Sequence, residues 1–127
     1  MKQIINKEQE RAKFSFEKAS KISDNNKKNY KSYVKSLPMM IKKSGLGSTI
    51  AFIFAKKETG DAYSSIYNEL NEWLAKQKIL ETEDGKLAEK IVNLSPEKYM
   101  FATMEVLEYL KWSRRFAEGL FSESSGG

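Results

Sequence analysis

The sequence contains no cysteine and no histidine. Without cysteine, the chain cannot form a disulfide, an iron–sulfur cluster, a thiolate zinc site or a cysteine nucleophile. Without histidine, it lacks the usual general base near neutral pH and the commonest metal ligand. Catalysis would have to use carboxylate, lysine, tyrosine or serine chemistry. We therefore expect no enzyme, no metal site and no cofactor unless such groups form a clear constellation.

Proline and long apolar runs are also scarce. Two prolines, Pro38 and Pro96, interrupt stretches rich in Lys, Glu, Ala and Leu, a composition that favours helix over strand. The longest apolar run, Ile50 to Ala55, is far shorter than the roughly 20 residues that span a bilayer. Charged residues follow the N-terminus at once, and the apolar segment of a signal peptide is missing. We expect a cytoplasmic protein.

Acidic residues are missing from one part of the chain, between Asp24 and Glu58. Residues 1–57 hold 14 basic and 4 acidic side chains, whereas residues 58–127 hold 8 basic and 13 acidic ones. A helix face that is merely solvated usually mixes both signs in i,i+4 pairs, so an unmixed run of lysines favours contact with a polyanion. The candidate residues are Lys27, Lys28, Lys31, Lys35, Lys42, Lys43, Lys56 and Lys57.

Apolar periodicity predicts an all-α fold, a compact bundle of about five or six helices in a single domain. We place this domain at residues 1–121, followed by a flexible polar tail at 122–127. The predicted helices cover residues 7–22, 27–43, 50–55, 61–74, 86–94 and 96–121. The predicted core contains Phe16, Leu37, Phe52, Leu70, Trp73, Leu107, Leu110 and Trp112.

Capping residues, prolines and glycines support these boundaries. Ser95 and Pro96 predict a helix start, with a capping hydroxyl followed by proline at the first position. Pro38 is expected to kink or restart the second helix. Gly45 suits the left-handed position after a helix end, which also explains the glycines near Lys42 and Lys43 better than a phosphate loop does. Amides at the start of the following helix stay candidates for a weak phosphate contact.

No pattern of side chains indicates a catalytic site. The carboxylate pairs Glu69/Glu72 and Glu105/Glu108 have i,i+3 spacing, but a di-metal bundle would also need histidine, so solvated helix faces are the preferred interpretation. Tyrosines lie mostly on apolar stripes, which favours core packing with the hydroxyl at the solvent over base stacking. These are Tyr30, Tyr33, Tyr63, Tyr67, Tyr99 and Tyr109.

Arg114 and Arg115 interrupt the acidic C-terminal half. Arginine binds phosphate or carboxylate through two parallel hydrogen bonds. Contact with RNA and an internal bridge to Glu108, Glu118 or a carboxylate of another helix are equally compatible with the sequence.

Two blocks of sequence carry a family resemblance. Residues 30–47 read YKSYVKSLPMMIKKSGLG and are followed by Ala51 and Phe52; residues 105–112 read EVLEYLKW and precede RRFAEG at 114–119. Together the blocks resemble the small-subunit family of type III-B CRISPR effector complexes, the Cmr complexes. Their order and spacing agree with the family as far as Gly119, which covers nearly the whole chain.

The resemblance implies a non-catalytic helical bundle in an RNA-guided complex. Members of the family stack side by side into a short filament that runs along the crRNA-binding backbone subunits and meets the large subunit at one end. Their basic surface lies beside the guide–target RNA duplex, and a different subunit cleaves the target. By position in the two blocks, Lys42, Lys43, Arg114 and Arg115 are the main RNA-facing residues that the resemblance implies.

Two other functions remain open at this stage. One is a helical protein that binds DNA without sequence preference. The other is a protein-interaction adaptor whose lysines contact acidic partner surfaces.

Overall fold

A computed structural model of the chain describes residues 6–82 and 84–121. Within these residues the structure has six α-helices, no strand and one 3₁₀ turn, Asp24–Asn26, so the predicted single-domain, all-α bundle is confirmed. The predicted tail at 122–127 lies outside the described residues. The helices are α1 Lys7–Ser20, α2 Lys27–Ser44, α3 Leu46–Lys56, α4 Asp61–Lys76, α5 Leu87–Val92 and α6 Pro96–Leu120.

Side-chain caps start the first and last helices. The Asn6 side chain accepts a hydrogen bond from the Gln9 amide at 3.1 Å, and the Ser95 hydroxyl accepts one from the Lys98 amide at 3.2 Å. Such caps satisfy amides that have no partner within the helix. The predicted start of α6 at Ser95 is therefore confirmed.

Pro38 does not end α2, which passes through it to Ser44. Of the two effects expected at Pro38, a kink or a restart of the helix, the restart is wrong. Leu37 and Ile41, on either side of the proline, are both buried and hold the helix against the core. Packing of an apolar face commonly outweighs an unfavourable local preference.

The core confirms Leu37, Leu70, Trp73 and Leu110 as buried residues. Phe52 and Leu107 are only partly buried against it, and Trp112 is partly buried but outside the core, which differs from the prediction. Phe16 is wrong, because 45% of its side chain is exposed. On α1 the inward face is formed by Ser15, Ala19 and Phe14, and the Phe14 ring lies 5.2 Å from that of Trp73.

Helices α2 and α6 run antiparallel. At one end, the Phe121 ring lies 6.1 Å from the Tyr30 ring in the first turns of α2. At the other end, the Tyr99 hydroxyl near the start of α6 accepts a hydrogen bond from the Gly47 amide at 2.7 Å. Gly47 comes just after the C-terminus of α2. Because the two helices are antiparallel, the end of α2 lies beside the start of α6, and the start of α2 lies beside the end of α6.

Two carboxylates of the described residues are buried among the helices. Glu69 accepts hydrogen bonds from the Tyr30 and Tyr109 hydroxyls, each at 2.7 Å. Glu105 accepts from the Trp73 indole at 2.9 Å and from two nitrogens of Arg11 at 2.6 and 3.0 Å. The expectation of solvated faces for Glu69 and Glu105 is wrong. So is the expectation that these tyrosine hydroxyls reach solvent, because a buried carboxylate accepts their hydrogen bonds instead.

Burial raises the pKa of Glu69 to about 7, because the charged form loses its hydration. Hydrogen bonds from Tyr109 and Tyr30 and the positive charge of Lys18 act in the opposite direction. Burial also raises the pKa of the Tyr30 and Tyr109 hydroxyls, so both remain protonated donors. The network joins α2, α4 and α6 through hydrogen bonds inside the bundle.

Candidate nucleic-acid interface

One side of α2 presents a line of exposed lysines. Lys28, Lys35 and Lys42 recur every seven residues, which brings them to the same side of a helix at intervals of about 10 Å. The opposite side of α2 is buried in the core through Tyr30, Val34, Leu37 and Ile41. The core therefore fixes the orientation of the helix and directs the lysines to solvent.

Ion pairs divide the ten predicted RNA-facing residues into two groups. Three have a carboxylate partner: Lys27 with Asp24 at 2.7 Å, Lys57 with Glu58 at 3.6 Å and Arg114 with Glu118 at 3.3 Å. The other seven form no salt bridge within residues 6–82 and 84–121. They are Lys28, Lys31, Lys35, Lys42, Lys43, Lys56 and Arg115.

The two acidic residues that bound the lysine-rich segment are thus already engaged. Asp24 pairs with Lys27, whose hydrogen bond and charge lower the pKa of the Asp24 carboxyl. Glu58 lies beside Lys57 at the other boundary. Between these pairs the positive charge of α2 and α3 is not neutralised by carboxylates of the described chain.

Some of the lysines also lie over aromatic rings. The Lys27 ammonium is 5.6 Å from the centre of the Phe121 ring, and that of Lys56 is 5.8 Å from the Phe52 ring. These contacts position the aliphatic stems without neutralising the charge.

The structure does not bring the four family-implied residues into one compact patch. Lys42 and Lys43 lie in the last turn of α2, near the start of α6 where Tyr99 contacts Gly47. Arg114 and Arg115 lie 15 and 16 positions beyond Tyr99, which is about 22 Å along α6. The lysine pair and the arginine pair are therefore two separate sites on the surface.

The helix N-terminus after Gly45 is less available to a phosphate than the sequence indicated. The Gly47 amide donates to the Tyr99 hydroxyl, and Thr49 bonds back to the Gly45 carbonyl through both its amide and its hydroxyl. Gly45 itself has φ +92° and ψ 159°, a conformation that favours glycine but is not the expected left-handed helical one. The adjacent Lys42 and Lys43 remain exposed.

The tyrosines do not form open stacking surfaces. Tyr30, Tyr67 and Tyr109 are buried, and Tyr33 and Tyr63 stack on each other with their ring centres 3.8 Å apart. Exposed ring surface belongs instead to Phe101, Phe54 and Phe16, and the last of these has Trp112 and Phe116 beside it. Sequence reasoning missed this site because aromatic residues at helical spacing usually indicate a core; the adjoining pair of arginines was the available signal.

The described residues contain neither a cluster of metal-binding side chains nor a membrane-spanning helix. Among those residues, no group of three or more acidic side chains is arranged to hold a metal ion. None of their helices is long and apolar enough to cross a bilayer.

Comparison with known proteins identifies the family of this chain. The family described as CRISPR-associated protein (Cas_Cmr5) matches residues 7–120. The crystal structure of a CRISPR-associated Cmr5 family protein from Thermus thermophilus is similar, with a TM-score of 0.77 and 25% sequence identity over 94% of this chain and 100% of that one. The chain belongs to the CRISPR-associated Cmr5 family, and it is a small subunit of the type III-B Cmr complex.

Proposed function

We propose that the chain is a non-catalytic, RNA-associated subunit of the cytoplasmic Cmr complex in antiviral defence. Copies stack into a short filament beside the crRNA-binding backbone, meet the large subunit at one end, and stabilise the guide RNA and its target RNA through the basic face. The observation that carries the RNA contact is that seven of the ten predicted cations form no salt bridge within the described residues.

Charge neutralisation supplies the physical basis. A lysine that meets a phosphate releases condensed counterions, so affinity depends steeply on salt. One copy reaches only a few phosphates, because its lysines are spaced about 10 Å apart along α2. Stacked copies align several basic faces and raise the effective concentration of each. RNA affinity should therefore be weak in the single chain and strong in the assembly.

The carboxylates of the core support a structural role. The buried acids Glu69 and Glu105 have their oxygens engaged by Tyr30, Tyr109, Trp73 and Arg11. A general acid or base must come within hydrogen-bond reach of a substrate proton. These two groups lie inside the bundle and are not placed to do so.

Exposed apolar side chains on α6 support contact with other protein subunits. Met100, Phe101 and Met104 are each at least 60% exposed and occupy neighbouring turns. Clustered apolar surface on a small protein commonly marks an interaction site. Opposite charges in the two halves of the chain also suit head-to-tail stacking of copies.

Reconstitution with and without the chain tests the proposal. We expect the complete Cmr complex to bind complementary target RNA more tightly than a complex that lacks this subunit. The purified chain should release no product from labelled RNA, DNA or nucleotides, with or without divalent metal. Equal RNA affinities, or turnover that a single carboxylate substitution abolishes, would contradict the proposal. Duplex DNA binding by the chain that rivals its RNA binding would favour the DNA-binding alternative.

A further inference from the structure

An aromatic–arginine cluster, made of Phe16, Trp112, Arg115 and Phe116, lies where α1 meets α6. The Phe16 ring packs edge-on against Phe116 at 5.2 Å, and the Phe116 ring stacks on Trp112 at 5.7 Å. The Arg115 guanidinium lies 5.9 Å from the centre of the Trp112 ring. The three rings and the guanidinium form a continuous row across the two helices.

Phe16 and Trp112 lie outside the core, and Phe116 is only partly buried against it. The inner contact between α1 and α6 is formed by the Ser15 and Ser113 hydroxyls, 3.1 Å apart, and by Phe14 against Tyr109. Phe16 is 45% exposed, and Trp112 is only partly buried. Phe16 and Trp112 therefore keep ring surface that packing of the core does not cover.

The charge beside the rings is positive. Lys111 pairs with Glu108 at 3.4 Å, and Arg114 pairs with Glu118 at 3.3 Å. These pairs engage the two nearest carboxylates of α6. Arg115 forms no salt bridge within the described residues. Its charge is available to an anion that lies next to the aromatic rings.

We propose that the cluster is a stacking site for an unpaired nucleobase of RNA, with Arg115 meeting the neighbouring phosphate. The proposal rests on the RNA-associated function above and names a contact within it. Single-stranded nucleic acids bind where aromatic rings stack on bases and cations follow the backbone. A nucleotide supplies a flat ring and an anion together, whereas an apolar protein surface would desolvate Arg115 without a partner.

Photo-crosslinking in the reconstituted complex tests the contact directly. Target and guide RNAs carrying 5-iodouridine at successive positions would be irradiated, and the crosslinked peptides would be mapped by mass spectrometry. We expect crosslinks to Trp112, Phe16 or Phe116 from at least one unpaired position. Crosslinks to this chain that fall entirely outside the cluster would overturn the proposal.

Substitutions give a quantitative test. Trp112→Leu and Phe16→Leu should each weaken RNA binding by the complex about five- to a hundredfold, the effect of losing one base stack. The salt dependence should not change, because no phosphate contact is removed. Phe54→Leu is the matched control, since Phe54 is 49% exposed, close to the 45% of Phe16, and lies on α3 outside the cluster. An RNA that is abasic at the crosslinked position should bind the variants and the wild type equally.

Each outcome separates the stacking site from the wider function. If both variants bind RNA like the wild type while lysine substitutions weaken binding, the stacking site is wrong and the RNA-associated function stands. If they reduce assembly of the complex but not RNA affinity, the cluster contacts protein, which also overturns the inference. If RNA affinity is independent of this chain, both proposals fail. Phe16→Leu decides the test should Trp112→Leu fail to fold.

Discussion

Glu69 illustrates how a single buried group ties the helices together. Its two oxygens each accept one tyrosine hydroxyl, one from α2 and one from α6. Burial raises its pKa to about 7 from an ordinary value of 4.5. At neutral pH a fraction of molecules therefore keeps this carboxyl protonated, whereas the unfolded chain has released the proton.

Stability should consequently decrease as pH rises. Between pH 4.5 and about 7 the folded state binds more protons than the unfolded state, so the free energy of unfolding falls across that window and levels off above it. At about 1.4 kcal/mol per unit of pKa shift, the total is at most roughly 3.5 kcal/mol. Urea denaturation of wild type and Glu69→Gln at pH 5 and pH 8 checks this. The glutamine variant should not show that decrease; an identical decrease in both proteins would show that another group causes it.

Single residues also show which contacts the sequence does not predict. Glu69 and Tyr30 are 39 residues apart, and Arg11 and Glu105 are 94 apart. Nothing near either glutamate in sequence distinguishes it from a solvated one, because its partners come from other helices. The prediction for Phe16 is wrong because the sequence pattern is the same in two cases. An aromatic residue at helical spacing can pack into the core or beside a neighbouring helix.

At the scale of elements, caps and periodicity predict every helix but not all of the bounds, since α3 is Leu46–Lys56 rather than the predicted 50–55. The lysine-rich stretch predicts a helix over residues 27–43, and α2 is Lys27–Ser44. Ser95 caps the start of α6 as predicted, because its hydroxyl accepts a hydrogen bond from an amide that has no partner within the helix. The path between α2 and α3 depends on Gly45 and on the contact between Tyr99 and Gly47, and the tyrosine comes from a distant helix.

Two glycine-to-alanine changes should have opposite effects. Gly45→Ala should destabilise the protein by about 1–3 kcal/mol, because φ +92° with ψ 159° is a conformation that only glycine adopts readily. An added Cβ there meets only ordinary contact, 3.6 Å from the Tyr99 hydroxyl, so the cost comes from the backbone. Gly119→Ala, in α6 with open space around it, should stabilise by up to about 1 kcal/mol. Thermal melts of both variants measure this, and changes of the same sign would contradict the assigned conformations.

Tyr99→Phe tests the junction from the other side. The change leaves the ring in place but removes the hydroxyl that accepts the Gly47 amide at 2.7 Å. We expect the free energy of unfolding to fall by about 1 kcal/mol, the usual contribution of one such bond. Faster hydrogen exchange at the Gly47 amide should accompany it. Unchanged exchange would show that the bond does not protect this amide.

For the whole molecule, the charge division is the property that sequence shows most directly. The lysines lacking nearby acids in sequence also mostly lack salt bridges within the described structure, because the flanking Asp24 and Glu58 pair locally with Lys27 and Lys57. The distance between Lys42 and Arg115 is not accessible from sequence, since it depends on the antiparallel packing of α2 and α6. The basic residues are therefore spread along α2 and α6 and are not gathered in one pocket.

The most direct test of that account is the RNA affinity of the reconstituted complex across a salt series. The test variant carries Lys28→Gln, Lys35→Gln, Lys42→Gln and Lys43→Gln. The control variant replaces four other exposed lysines with glutamine, and these also form no salt bridge within the described residues. They are Lys76, Lys78, Lys86 and Lys98. Each variant has four fewer positive charges than the wild type, and surface changes of this kind leave stability nearly unaltered.

The slope of log affinity against log salt should separate the two variants. In the test variant we expect it to become shallower by about 0.7 for each single-strand phosphate that the lysines no longer neutralise, with weaker binding at physiological salt. The control should match the wild type in slope and affinity. Equal slopes and affinities in all three complexes would contradict the account, because the lysines of α2 would then meet protein or solvent rather than RNA.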